Sequence, residues 1–203
     1  NGAGKSTLIH TLMGEISPIT GNLSFDAIDS EEWRAKEKMK WFSLVSSRPP
    51  EVDYLTIKEL IGLGRAPYTN VLHKLTADDH VLIQNALDTL NLAHLADKYL
   101  AEVSDGERQL AMIAKALVQE TDCILLDEPT AFLDYSNKKQ VMDVLLRIAE
   151  EKHKMLLLST HDIELGMQYA TSIWAIDKNE KQLLTFDPPF SSQAIIQKVF
   201  LKQ

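Results

Sequence analysis

"CILLDE", residues 123–128, decides the fold class of this 203-residue chain. A run so short and so continuously apolar is the pattern of a parallel strand covered on both faces. Its last two residues are carboxylates, and an apolar strand does not bury two unpaired charges. Asp127 and Glu128 are therefore expected to emerge at the strand's C-terminal end, where open parallel sheets place their ligands. "MLLLST" (155–160) repeats the apolar run, and Val141, Val144, Leu145 and Ile148 between the two make the stripe of a helix. Further out, "GNLSF" (21–25), "WFSLV" (41–45), "SIWAID" (172–177) and "LLTF" (183–186) read as strands. From Leu55 to Leu117 the period is mostly helical. There Thr76 and Asp79 predict a capping box, with Val81, Leu82, Asn85, Ala86 and Leu90 following at helical spacing. Strands and helices on both sides of a helix-rich stretch predict an α/β fold carrying a helical subdomain.

Bulk properties narrow the function classes. The chain is 45% apolar and 25% charged, an ordinary globular composition. A net charge of -8 disfavours a broad nucleic-acid footprint, so no nucleic-acid partner is expected. No apolar stretch approaches the ~20 residues that span a bilayer. Cys123 is the single cysteine and reads as a small buried side chain.

"NGAGKST" (1–7) carries the first chemistry. The P-loop pattern G-x-x-x-x-G-K-[ST] needs four residues between its glycines, and only Asn1, Gly2 and Ala3 precede Gly4-Lys5-Ser6. The first glycine, and the strand that such a loop joins to its helix, are expected before residue 1. Leu8, Ile9, Leu12 and Met13 then give a short helical face, closed by Gly14 and Pro18. Backbone N–H groups through residues 2–6 can converge on phosphate oxygens at the positive end of that helix. Lys5 would bind the β- and γ-phosphates, the Ser6 hydroxyl would coordinate Mg²⁺, and Asp127 would sit on the Mg²⁺ side. Glu128 fits a base that polarises the attacking water. Taken singly, the same residues also make a Gly-rich turn with a surface lysine and a solvated acidic pair.

"VSDGERQ" (103–109) discriminates further. Ser104 and Glu107 form a capping box, so the stretch serves equally as a well-capped helix running through Leu110, Ile113 and Leu117. Yet Gly106 falls in the first turn, where it costs helix propensity, so something is expected to approach the backbone closely there. A serine-tipped helix start with no side chain at Gly106 is a second phosphate-binding surface. It does not easily serve the phosphate held by its own P-loop, which implies a second subunit.

Together with "AFLD" (131–134) and "STHD" (159–162), these stretches resemble an ATP-binding cassette ATPase, in order and spacing, from residue 1 to about Asp177. Within that family "LGRAPYT" (63–69) and "DEPTAFLD" (127–134) resemble the ATPase subunits of importers for iron–siderophore, haem and cobalamin. The resemblance implies a P-loop NTPase (RecA-like) core over 1–47 and 119–203, with 48–118 as the helical subdomain. It implies a head-to-tail homodimer with two ATPs, each lying on residues 1–7 of one subunit and facing Ser104, Gly106 and Glu107 of the other. Asp134 would reach across that dimer, and His161 would contact the γ-phosphate, although an isolated histidine here serves equally well in capping or packing. The implied partners are membrane-spanning permease subunits and, indirectly, an extracytoplasmic substrate-binding protein. The implied location is peripheral, on the cytoplasmic face of the membrane. The pattern departs at Ser47, where the family usually has glutamine; Arg48 or Glu51 would have to substitute. It departs again at Asp105, usually glycine, whose carboxylate is expected to point away from nucleotide. A soluble, non-transport ATPase of the same family and a nucleotide-binding subunit with little turnover are the competing readings.

Overall fold

The computed structural model describes residues 2–48, 50, 52–69, 74–177 and 179–200. Its elements in chain order are α1 (Lys5–Leu12), β1 (Ser24–Phe25), β2 (Ile28–Asp29), α2 (Ala35–Trp41), β3 (Phe42–Val45), α3 (Ile57–Gly62), α4 (Ala77–Thr89), α5 (Asp105–Val118), β4 (Cys123–Asp127), α6 (Tyr135–Lys152), β5 (Met155–Ser159), α7 (Ile163–Tyr169), β6 (Ile173–Asp177), β7 (Gln182–Phe186) and α8 (Ser192–Phe200). Strands β3, β4 and β5 form a parallel sheet in that order, with Val45 beside Leu126 and Asp127 beside Ser159. The pairs β1–β2 and β6–β7 are antiparallel hairpins.

The pleat of the parallel sheet sorts its side chains to two cores. Phe42, Cys123 and Leu125 face one side, where they pack with Ile9 of α1 and with Trp33. Phe25 and Trp41 complete that cluster, their rings 5.7 Å apart. Val45, Ile124 and Leu126 face the other side and join α3, α4, α5 and α6. The Val141, Val144, Leu145 and Ile148 stripe of α6 is buried there as expected. Burial pushes the Cys123 thiol up to about 11, as suits an inert core side chain.

Several local expectations shift. Trp41 ends α2 rather than opening a strand, because "AKEKMKW" is a run of good helix formers whose last ring is needed in the aromatic cluster. The strand expected over 21–25 shortens to Ser24–Phe25, turned by Asp26 and Ala27, both left-handed. β5 is only half-buried, since among the described residues it pairs on one side alone. In α4 the buried face is Ile83, Ala86 and Leu87, with Leu90 buried just past its end, while Val81 and Asn85 point outward. Near the C-terminus α8 buries Ile195 and Val199.

"LGRAPYT" gains a physical account. Arg65 is buried, with Nε donating to Asp79 Oδ1 at 2.7 Å and Nη1 donating to Glu120 Oε2 at 2.8 Å and to the Val118 carbonyl at 2.6 Å. Its guanidinium lies 4.2 Å from the centre of the Tyr68 ring. A side chain at Gly64 would meet the Lys115 carbonyl at 2.1 Å, so only glycine lets this turn lie on α5. The motif thus ties the end of α3 to the start of α4 and the end of α5.

The same ties set an acid limit. The Thr76 backbone N–H, then the Arg65 guanidinium and the Thr76 hydroxyl, hold the Asp79 carboxyl down at about 2 against the opposing effect of its burial. A carboxylate depressed on folding adds stability above its unfolded value near 4, and loses it as pH falls toward 2. That contribution is about 2 kcal/mol. Urea midpoints measured from pH 5 to pH 2 should fall more steeply for the native protein than for Asp79→Asn. Parallel curves would refute the assignment.

Candidate active site

The turn entering α1 is built on positive φ: 75° at Gly2 and 94° at Gly4, a region that favours glycine. Gly4 is the N-cap of α1 and has no side chain to offer, so the helix start is left open to an outside acceptor. Gly2, Ala3 and Gly4 line an open cleft of about 450 Å³ with Leu8, Ile176 and Leu183. Ser6 and Thr7 are exposed on the first turn. Asn1 and Glu51 lie outside the described residues.

Lys5 points back across the sheet's C-terminal end, with Nζ 3.0 Å from Glu128 Oε1. His161 Nδ1 lies 3.4 Å from the other carboxylate oxygen. Glu128 reaches both because the chain turns sharply after β4: its φ is 47°, a left-handed conformation that costs a side-chain-bearing residue on the order of 1 kcal/mol. Ser159 holds this turn, donating its hydroxyl to Asp127 Oδ1 at 2.6 Å and accepting from the Glu128 N–H at 2.9 Å. Within "STHD" the sequence alone assigns Ser159 no task. The available signal was register, since parallel neighbours end opposite one another. Glu128, Ala131, Phe132 and His161 line a second open cleft of about 490 Å³.

Ser6 and Asp127 offer a hydroxyl and a carboxylate, the hard oxygen donors Mg²⁺ takes beside phosphate and water. Among the described residues no cluster of three His, Cys, Asp or Glu side chains is poised to hold a metal without such help. These are the oxygen donor types that a nucleotide-bound Mg²⁺ accepts.

The start of α5 matches its expected capping box. Ser104 Oγ accepts from the Glu107 N–H at 3.3 Å and donates to Glu107 Oε2 at 2.8 Å, while that carboxylate also accepts from the Ser104 N–H at 2.8 Å. The Ser104 N–H and then its hydroxyl hold the Glu107 carboxyl below its usual range. Asp105 is turned aside to Arg108, 3.4 Å away. The close approach expected at Gly106 is made by Asn137 of the same chain, which would stand 2.8 Å from a β-carbon there. Asp134 is the N-cap of α6, accepting from the Asn137 N–H at 2.8 Å. Neither Ser104 nor Gly106 lines either cleft.

Beside Ser47, Arg48 spans to the loop after β4, its guanidinium 5.2 Å from the centre of the Phe132 ring. Phe132 is otherwise 72% exposed, with a left-handed φ of 65°. The contact is a cation–π one.

Residues 1–131 match the family model described as "ABC transporter". The chain is 33% identical over 189 residues to the petrobactin import ATP-binding protein FpuD of Bacillus anthracis, covering 93% of this chain and 68% of that protein. It superposes with a TM-score of 0.86 on a structure described as an inward-facing metal-chelate type ABC transporter, at 27% identity, covering 99% of this chain and 75% of that one. A dimeric ATP-binding cassette in a post-hydrolysis state with ADP and Pi bound shares the fold at a TM-score of 0.77 and 22% identity, covering 94% and 83%. The chain spans about two thirds of the length of the curated relatives it matches.

Proposed function

The chain belongs to the ABC transporter family, among its ATP-binding cassettes, and on that premise we propose that it hydrolyses ATP to drive an importer of the iron–siderophore, haem or cobalamin type. The observation that carries this reading is the meeting of Lys5, Glu128 and His161 beside the Gly4 turn. In the structure Lys5 is neutralised by Glu128. A triphosphate seated on residues 1–7 draws Lys5 onto its β- and γ-oxygens, which frees the Glu128 carboxylate to face water. His161 then holds the γ-phosphate end of the cleft, and Ser159 keeps Asp127 and the Glu128 backbone in register. Ser6 and Asp127 hold Mg²⁺, which when bound neutralises charge developing on the phosphate oxygens.

The second half of the site comes from a twin subunit. Ser104, Gly106 and Glu107 form a helix start outside both clefts of their own chain, which favours their use in trans. Asp134 lies on the same side through Asn137. Residues 1–47 and 119–203 act as the RecA-like core, and 48–118 as the helical subdomain that docks on membrane-spanning permease subunits. Among the described residues no helix is long and apolar enough to cross a membrane; the peripheral place at the cytoplasmic face follows from the proposed role as a transporter ATPase. An extracytoplasmic binding protein supplies cargo without touching this chain.

Lys5→Ala in the full-length protein should weaken ATP binding at least about tenfold, since a charge-assisted phosphate contact is lost. Equilibrium dialysis with labelled ATP measures it. Unchanged affinity would remove the nucleotide from residues 1–7.

A further inference from the structure

Two helix starts meet at Gly106 and Asn137. Gly106 is the second residue of α5; it is buried, and its φ is not among the positive ones, so its backbone would accept alanine. The obstacle is a side chain: a methyl there would stand 2.8 Å from Asn137 Oδ1 and 2.9 Å from its Cγ, so the amide would have to shift. Asn137 is also tethered. Its N–H donates to Asp134 Oδ1 at 2.8 Å and its Nδ2 donates to Asp134 Oδ2 at 3.1 Å. A methyl at position 106 therefore pushes on the Asn137 amide and strains its bond to the α6 cap.

We infer that Asn137 is a positioning residue, wedging the serine-capped start of α5 against the Asp134 cap of α6 so that Ser104 and Asp134 move as one body. Position 106 is glycine in order to admit it. The inference rests on the reading above, in which both helix starts face the nucleotide of the twin subunit. Its advantage is entropic. Two elements that must arrive together at one phosphate need a single rigid docking when they are already joined, instead of two separate orderings. The chemistry distinguishes two reasons for the glycine. A glycine required only by an incoming phosphate is indifferent to residue 137, whereas one required by Asn137 becomes dispensable for folding once that side chain is shortened.

The experiment compares the full-length protein with Gly106→Ala, Asn137→Ala and the double variant, by thermal unfolding and by ATP turnover in the assembled transporter. Gly106→Ala alone should lower Tm. Introduced into Asn137→Ala, the same change should raise Tm by about 2 °C, because alanine is the better helix former once the clash is gone. An equal fall in both backgrounds would overturn the wedge. Asn137→Ala alone should lower kcat for ATP about tenfold with KM for ATP unchanged, since the phosphate cradle is untouched while its trans half is loosened. An unaltered kcat, or a rise in KM alone, would overturn the positioning role. Lys5→Ala run in parallel separates the two levels. Normal ATP binding by that variant overturns the functional reading, while the reversal of sign in Tm still decides the Gly106–Asn137 contact.

Discussion

Glu128→Gln, made in the full-length protein assembled with its membrane subunits, is expected to cut ATP turnover at least about 100-fold while leaving ATP binding intact. The amide keeps the size and a hydrogen-bonding oxygen near Lys5, but it has no basicity, and a positioned general base contributes roughly 10²–10⁴ in rate. Glu128 is the carboxylate at the point where Lys5 and His161 converge, 3.0 Å and 3.4 Å away. Removing its charge also removes the ion pair that competes with phosphate for Lys5, so affinity should hold or rise. An ATP-loaded dimer should then accumulate on gel filtration. Turnover persisting at the native rate would assign the base elsewhere.

Arg65→Ala should produce the largest loss of stability. The guanidinium satisfies the buried Asp79, the Glu120 carboxylate and the Val118 carbonyl together. Truncation leaves Asp79, 5% exposed, without its cation. Breaking one partner out of a buried pair typically costs 3–5 kcal/mol, about 6–20 °C in Tm for a domain of this size. Arg65→Met combined with Asp79→Asn should recover most of that loss, because no uncompensated charge remains and the asparagine oxygen still caps α4. Nucleotide affinity should be unchanged in both, as the P-loop turn packs on the other face of the sheet. A Tm within 2 °C of native for Arg65→Ala would show that the cluster is solvated rather than structural.

The strand core was legible because its signal is local. An apolar run ending in two carboxylates specifies a buried parallel strand with an acidic tip, and "CILLDE" became β4 between two parallel neighbours. Both capping boxes were legible for the same reason: Thr76 with Asp79 and Ser104 with Glu107 bond across three residues, inside one helical turn. Trp41 sits at a boundary that sequence alone leaves ambiguous: good helix formers precede it and a β-prone apolar run follows it, and the chain ends α2 on its ring. The helix carrying Val81 was legible from its spacing, but its buried face was not, because a helix of mixed composition leaves the choice of face to whatever packs on it, here α3 and α5.

The sequence by itself determined that Asp127 and Glu128 stand at a strand tip, that Lys5 follows a glycine turn, and that α5 opens on a serine cap. Each follows from backbone geometry and burial within a few residues. Only the tertiary structure decided that Lys5 and His161 converge on Glu128, that Ser159 braces the turn, that Arg65 closes a buried ion cluster and that Asn137 fills the space at Gly106. Those partners lie far apart along the chain. Which of them meet depends on how whole helices and strands pack, a choice made by summed burial and close packing rather than by any local preference.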